Sequence, residues 1–396
     1  MEFDLSWILL GLPLAFILGW LASRLDLRQI RAENRQAPKA YFKGLNFLLN
    51  EQQDKAIDAF IEAVQNDPDT TELHFALGNL FRRRGEYNRA VRVHEHLLSR
   101  ADLSTADRER AQHGLAQDFL KAGLLDRAEE ALRRLEGTPY EAEARLALMA
   151  IYERSRDWPL AADIARRMQA ANQGDFSARL AHYLCEQASE KAAHAQLEPA
   201  MDLLHEAVAI APHSIRPRME LAKVLHRLNR PQDAYQALTL LAQETPQGLP
   251  LAAPLLLEVA TASQQLPAAI ALLRQRYQQT PSLDLLDALV AAGATPSLPG
   301  TSSADTETEA PPDIRNWYVQ HLSREASLVA ATKWLAGEKL EQEQFHPAVQ
   351  KALDHASKPL LRYRCAACGF EARTHFWHCP GCQSWDSYPA RRVEEL

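Results

Sequence analysis

The sequence predicts an all-α superhelix, preceded by a transmembrane helix and followed by a small metal-binding ribbon. Three observations predict it. Eighteen uncharged residues run together near the start, small and aromatic residues recur every 34 positions, and four of five cysteines fall within eighteen residues near the end. A chain of 396 residues exceeds one typical domain and buries a large core. With 46% hydrophobic and 24% charged residues, its composition is that of an ordinary globular protein. The net charge of −7 argues against a general nucleic-acid binder, which is usually basic.

Residues 5–22 read LSWILLGLPLAFILGWLA. As a helix they span roughly 27 Å, enough for a bilayer core. Pro13 is tolerated in a membrane helix, and Trp7 and Trp20 stand where interfacial aromatics are expected. A cleaved signal peptide does not fit, because Glu2 and Asp4 precede the stretch and no A-x-A-like site follows it. The anchor therefore occupies residues 1–23, and 24–36 form a basic juxtamembrane linker. Arg24, Arg28, Arg31, Arg35, Lys39 and Lys43 all follow the span and no Lys or Arg precedes it, which keeps the body of the protein cytoplasmic.

Residues 37–293 carry the repeat. Gly44 and Gly78 are 34 residues apart, as are Ala56 and Ala90. This is the tetratricopeptide period, in which each unit is two antiparallel helices. The first unit offers Gly44, Phe47, Ala56, Phe60, Ala63 and Pro68; the second offers Gly78, Phe81, Gly85, Tyr87 and Ala90. Later units follow at Ala116, Phe119 and Ala128, at Tyr152, Trp158 and Ala161, at Ala200, Leu204 and Ala207, and at Ala222, Leu225, Ala234 and Leu238. A weaker seventh runs to Pro281. Small residues let the helices approach and large ones fill the space beside them. These positions build the scaffold and carry no chemistry.

Binding in such an array belongs to its inner face, made chiefly by the first helix of each pair. The register places Asn79, Arg82 and Arg83 there in the second unit. It places Arg110, His113, Gln117 and Lys121 there in the third, and Arg216, Lys223, His226 and Arg227 in the sixth. A basic groove in an acidic protein suits an acidic partner segment; the plainer alternative is solvated helix surface. Cys185 has no CxxC partner, reads as a half-buried thiol and receives no role.

Residues 294–313 (ATPSLPGTSSADTETEAPPD) are rich in Pro, Ser, Thr and acids and predict a flexible insertion. Helical periodicity returns over 314–358, with Trp317, Leu322, Leu328 and Trp334 on the buried side.

The final segment, 359–396, holds Cys365-x2-Cys368, ten residues, then Cys379-x2-Cys382. Four thiolates at this spacing match a closed tetrahedral site with metal–sulfur bonds near roughly 2.3 Å. The expected cofactor is one metal ion, zinc or iron. Gly369 and Pro380 suit rubredoxin-type turns, whose amides point at the sulfurs. Such a filled shell leaves no open position for catalysis, so the ion is structural. His375 and His378 read as surface or packing residues.

Arg362, Arg364, Arg373, Arg391 and Arg392 alternate here with Tyr363, Phe376, Trp377, Trp385 and Tyr388. These aromatics would either stack on nucleic acid or dock the ribbon onto the helices; the acidic net charge and the anchor favour docking. The chain has no phosphate loop, no HExxH and no nucleophile elbow, and HEHLL at 94–98 only mimics a zincin motif. The expectation is a protein that is not an enzyme.

The stretches GLNFLLNEQQDKAIDAF (44–60), LGNLFRRRGE (77–86), AGLLDRAE (122–129) and RYRCAACGF…WHCPGC (362–382) together resemble the lipopolysaccharide assembly protein B (LapB) family of Gram-negative bacteria. The resemblance covers essentially the whole chain, with 294–313 as an insertion. The family's metal ligands fall on Cys365, Cys368, Cys379 and Cys382. It implies a rubredoxin-like ribbon and a single-pass protein of the inner membrane, N-terminus periplasmic. It also implies a non-enzymatic regulator of lipopolysaccharide synthesis. The partners it implies are an FtsH-type membrane protease, an LpxC-type deacetylase whose degradation it promotes, and other membrane proteins of lipopolysaccharide synthesis or signalling.

Overall fold

The computed structural model describes residues 42–47, 49–50, 52–66, 70–294, 315–337 and 345–396, together with Phe16 and Trp20. The expected spanning segment and basic linker otherwise lie outside the described residues, as does nearly all of the 294–313 insertion. Among the described residues no helix is long and apolar enough to cross a membrane. The chain divides into two compact units, Met1–Asp157 and Trp158–Leu396.

The first unit contains α1 (Gln53–Asn66), α2 (Thr71–Arg84), α3 (Tyr87–Ser99), α4 (Thr105–Ala122), α5 (Leu125–Arg133) and α6 (Glu141–Ser155). Thr71 and Thr105, which open successive first helices, keep the 34-residue period. The small positions are the tight ones. Ala56, Ala63, Ala90, Ala116 and Ala128 are fully buried, and a methyl group on Gly44 would meet the Phe60 ring at 3.0 Å. Gly85 ends α2 at φ +83°, a backbone state that other L-residues adopt only with strain.

A polar cluster runs through this unit and takes in Arg82, which the repeat register places on the open inner face. His94 on α3 is 1% exposed and lies between Gly78 on α2 and Gly114 on α4; a Cβ on either glycine would stand 2.7 Å from the imidazole. The His94 Nδ1 is 2.6 Å from Oδ2 of Asp118, which is 0% exposed. Arg82 donates to the other carboxylate oxygen at 2.8 Å and to the Gly114 carbonyl at 3.0 Å. A buried carboxylate is tolerated only with such partners.

The second unit continues the helix pairs with α7 (Trp158–Ala170), α8 (Ser177–Ala193), α9 (Leu197–Ile210), α10 (Ile215–Arg227), α11 (Pro231–Glu244), α12 (Leu249–Ala262) and α13 (Leu266–Gln279). Ala200, Ala234 and Ala269 recur on its second helices, each followed by a fully buried Leu204, Leu238 or Leu273. The weak seventh repeat is thus a complete pair, α12 and α13. Cys185 is 0% exposed, more buried than its sequence position suggested, because α8 packs against α9 on one side and α7 on the other. Burial pushes its thiol up to about 12.

Three further helices follow, α14 (Leu283–Ala291), α15 (Arg315–Leu322) and α16 (Leu328–Ala336), then α17 (His346–Ser357). Trp317 is buried as expected and donates its indole N–H to the Ala294 carbonyl at 2.7 Å. Leu328 is instead exposed at the first position of α16, because Val329, Ala330 and Thr332 form the buried side of that helix. Tyr277 packs edge-on against Trp317 and shares a 2.8 Å hydrogen bond with Nδ1 of the buried His321.

Two outcomes are expected from these cores. Asp118→Ala strands Arg82 and His94 and costs about 3 kcal/mol, while Gly78→Ala and Gly114→Ala overpack the imidazole at about 1–3 kcal/mol each; chemical denaturation of the three variants checks this. Burial lowers the His321 pKa beneath its ordinary value of 6.5. The unfolded chain therefore binds that proton first, and the stability contributed by neutral His321 is complete above pH 6.5 and lost as pH falls through the folded value. A His321→Gln variant should show a shallower loss of melting temperature between pH 7 and 5 than the parent chain.

Candidate metal centre

The ribbon begins at a two-residue ladder, β1 (Tyr363–Arg364) with β2 (Glu371–Ala372), antiparallel with Tyr363 opposite Ala372. Each CxxC then closes in the same way. In the first, the Gly369 amide donates to the Cys365 carbonyl and the Cys365 amide to the Phe370 carbonyl, both at 2.9 Å. In the second, the Gln383 amide donates to the Cys379 carbonyl and the Cys379 amide to the Ser384 carbonyl, again at 2.9 Å. The residue after each second cysteine is left-handed, Gly369 at φ +78° and Gln383 at φ +59°. Glycine supplies that conformation freely; at Gln383 the fold imposes it.

These matching knuckles bring the four sulfurs within 4.8 Å of one another. Cys365 Sγ lies 3.8 Å from Cys382 Sγ, and Cys368 Sγ 3.7 Å from Cys379 Sγ. A regular tetrahedron with metal–sulfur bonds of about 2.3 Å has edges of about 3.8 Å. The cluster therefore fits one tetrahedrally coordinated metal ion, and an all-thiolate shell accepts zinc or iron. Burial works to raise the Cys365 thiol, but hydrogen bonds from the Ser387 side chain and the Cys368 and Ala367 amides prevail and bring it down to about 6. The Ser384 side chain and amide likewise lower the Cys382 thiol. Both shifts favour the thiolate, the form that binds metal. At Cys368 the Phe370 amide works the same way, but desolvation and the three neighbouring sulfurs prevail and push that thiol up to about 12, so the four sulfurs share protons that a metal ion would displace.

Cys365 and Cys379 are buried with Tyr363 and Tyr388, and Leu251 of α12 packs on that group; Cys368 and Cys382 are exposed. Trp385 attaches this small core to the helices. Its ring stacks on His182 of α8 at 4.7 Å and on His378 of the ribbon at 4.3 Å, and meets Trp158 and Tyr183 edge-on near 6 Å. Next to it, Asp386 Oδ2 lies 2.8 Å from Nε2 of His182, which is 0% exposed. His375 sits against Tyr363, Trp377 and Tyr388, with Nε2 3.0 Å from the Tyr388 carbonyl. Both histidines are thus packing residues.

The other end of the ribbon is tied to α14. Asp284 accepts from Tyr363 at 2.9 Å and from Arg392 Nη2 at 2.6 Å, and the guanidinium of Arg392 lies 4.1 Å from the Tyr363 ring centre. Glu395 accepts the Leu283 amide at 2.6 Å, which caps α14; Glu394 accepts the Leu328 amide at 2.6 Å and the Ser327 hydroxyl, which caps α16.

The candidate groove residues fall in two places. In the first unit Asn79 accepts from Arg82, which also holds Asp118; Arg110 pairs with Glu72 at 2.6 Å and covers Phe75. His113 stacks on Tyr140 at 4.5 Å and contacts Glu143 and Gln117, each at 3.1 Å; burial lowers its pKa. Arg83 and Lys121 are exposed. In the second unit Lys223 pairs with Glu220, and Arg227 donates to the Ala192 carbonyl. Arg216 is buried against Glu186 at 2.7 Å with Nη1 3.4 Å from His182, and His226 lies 3.4 Å from Glu258. Of the residues that join ribbon to helices, the sequence points to Tyr363, Trp385 and Arg392 but not to His182, Asp284, Asp386, Glu394 or Glu395. Their partners are up to 204 positions away, so no local spacing announces them.

Helix pairs of this period with a four-cysteine knuckle docked on them define a tetratricopeptide protein with a rubredoxin-type metal site. Family models agree: residues 363–388 match a rubredoxin metal binding domain and 73–109 a tetratricopeptide repeat. The chain is 31% identical to lipopolysaccharide assembly protein B of Escherichia coli (strain K12), over 99% of this chain and 100% of that one. It is 25% identical to the Haemophilus influenzae protein of that name, over 96% of both. A tetratricopeptide repeat protein from Parabacteroides merdae is similar at 13% identity and a TM-score of 0.33, covering 65% of this chain and 99% of that one. The chain belongs to the lipopolysaccharide assembly protein B family.

The buried thiols set the outcome of ligand loss. Cys379→Ser should reduce bound metal, read as metal per chain by elemental analysis, from one equivalent to near zero. It should also abolish the near-ultraviolet dichroism of Trp385 while leaving helical content nearly unchanged. Persistence of the Trp385 signal without metal would show that stacking alone holds the ribbon.

Proposed function

We propose that this protein is a non-enzymatic adaptor in lipopolysaccharide assembly, held at the inner membrane by residues 5–22 with its helical body in the cytoplasm. Its task is to promote turnover of an LpxC-type deacetylase by an FtsH-type membrane protease, and to gather other membrane proteins of lipopolysaccharide synthesis. Family membership carries this reading: relatives that bear the lipopolysaccharide assembly name match along the whole chain. The architecture supports it in kind. A repeat array offers an extended surface, and tethering that surface beside a membrane protease raises the effective concentration of any captured client.

The four cysteines act as structural metal ligands in this proposal, and the exposed cations Arg83 and Lys121, with the half-buried Arg110 that pairs with Glu72, face an acidic segment of the client. The ribbon's aromatics Trp385 and Tyr363 are engaged with His182 and with the Asp284–Arg392 pair, which leaves them unsuited to stacking on nucleic acid bases.

The test is the half-life of the deacetylase in the source organism, with the protein present, depleted, or replaced by Cys379→Ser. Depletion is expected to lengthen the half-life several-fold, and the serine variant to behave like depletion while still fractionating with the membrane. An unchanged half-life on depletion would mean that the client is a different protein.

A further inference from the structure

The cysteines offer few targets to a dissolved oxidant. Cys185, Cys365 and Cys379 are buried, while Cys368 and Cys382 are exposed. Each exposed sulfur has a buried sulfur of the other knuckle close by. Cys365 lies 3.8 Å from Cys382, and Cys379 lies 3.7 Å from Cys368. A disulfide is about 2.05 Å long, so either pair closes with less than about 2 Å of travel. The outer sulfur of each pair is the one an oxidant meets, and the inner one is placed to resolve the product.

The two outer sulfurs differ in their surroundings. Cys382 Sγ lies 3.3 Å from the Ser384 hydroxyl oxygen. Residue 384 is held by its carbonyl, which accepts the Cys379 amide at 2.9 Å and the Ser387 hydroxyl at 3.2 Å. Cys368 instead stands against Gly381 and Phe370: a Cβ on that glycine would lie 3.5 Å from the sulfur and 3.4 Å from the Phe370 Cβ. An oxidant at Cys382 therefore meets a hydroxyl donor, and at Cys368 it meets backbone and a phenylalanine.

We propose that Cys382 is a site of reversible oxidation by a hydroperoxide, resolved by Cys365. The Cys382 thiolate attacks one peroxide oxygen; the S–O bond forms, the O–O bond breaks, and the far oxygen leaves as hydroxide. The Ser384 hydroxyl donates a hydrogen bond to that oxygen as charge builds on it. The Cys365 thiolate then attacks the sulfenic sulfur; the S–S bond forms, the S–O bond breaks, and a second hydroxide leaves. Two thiolates have given two electrons, and one hydrogen peroxide has become two hydroxides that take protons from solvent. Cys368 and Cys379 remain, too few for a closed tetrahedral shell, so bound metal is released. A thiol reductant reverses the reaction. The inference rests on the four-cysteine site and not on which client the adaptor presents.

The full chain, loaded with zinc, is treated with millimolar hydrogen peroxide beside a zinc-binding dye. Release of the zinc is expected, together with a disulfide joining tryptic peptides 365–373 and 374–391. Fragment spectra taken early in release should place it between Cys365 and Cys382, with Cys185 still open to alkylation after denaturation. Dithiothreitol and added zinc should restore the metal content. Ser384→Ala should release zinc several-fold more slowly, and Ser384→Thr, which keeps the hydroxyl, at the parent rate. The proposal is overturned if zinc stays bound in peroxide that oxidises glutathione under the same conditions. It is also overturned if the early disulfide lies within one knuckle or joins Cys368 to Cys379, or if Ser384→Ala releases zinc as fast as the parent. Should Ser384→Ala fail to hold zinc, the position of the parent's disulfide decides alone. None of these readings involves the deacetylase half-life, so the adaptor reading is judged separately.

Discussion

The placement of the ribbon depends on Trp385 stacking on two imidazoles, His182 from α8 and His378 from the second knuckle. A segment of this size cannot sustain a core of its own, and the one it has is Tyr363, Cys365, Cys379 and Tyr388 with Leu251 contributed by α12. A large, half-buried aromatic ring stacked on two imidazoles provides area that the ribbon otherwise lacks. Asp386 then fixes its orientation, since a bond to the fully buried His182 admits little sliding of one ring over the other. Coordination and docking thus reinforce each other. A metal held by the four cysteines would order the 379–382 turn that projects Trp385, and the stacked ring holds that turn against the helices.

In the second unit the ribbon touches α8, α12 and α14, the first helices of their pairs, besides Trp158 of α7 and the head of α16. That side of a repeat array is the one normally open to partners. Here it receives a piece of the same chain, and Arg216, which the repeat register assigns to an open groove, is buried among Glu186 and His182. In the first unit the equivalent surface carries polar pairs instead, Glu72 with Arg110 and Glu143 with His113. The two units therefore present different chemistry from one repeat plan.

The scaffold was legible because close helix packing requires small residues at a fixed period, and Ala56 and Ala90, like Ala200 and Ala234, are fully buried where that period puts them. The cysteine cluster was legible because its ligand spacing is local. The network of His94, Asp118 and Arg82 was not, since polar residues on an amphipathic helix read as surface until a partner helix is placed beside them. The one hint was a pair of glycines, Gly78 and Gly114, at positions where alanine would have sufficed for helix packing alone. Leu328 misled for the opposite reason: it continues an apolar pattern, but Val329 and Ala330 already face the core. The attachment of Arg392 to Asp284 spans 108 positions and leaves no trace in any window of sequence.

The caps supplied by Glu394 and Glu395 impose an order in time. Most of a repeat array can fold pair by pair as it leaves the ribosome, because each pair rests on the one before it. The Leu283 amide at the head of α14 instead waits for a carboxylate made 112 residues later, and the Val329 amide of α16 for one made 65 residues later. At ordinary rates of synthesis the first of these delays lasts roughly 5–20 seconds. For that interval water serves the head of α14, and the side chain that finally caps it comes with the last residues of the chain.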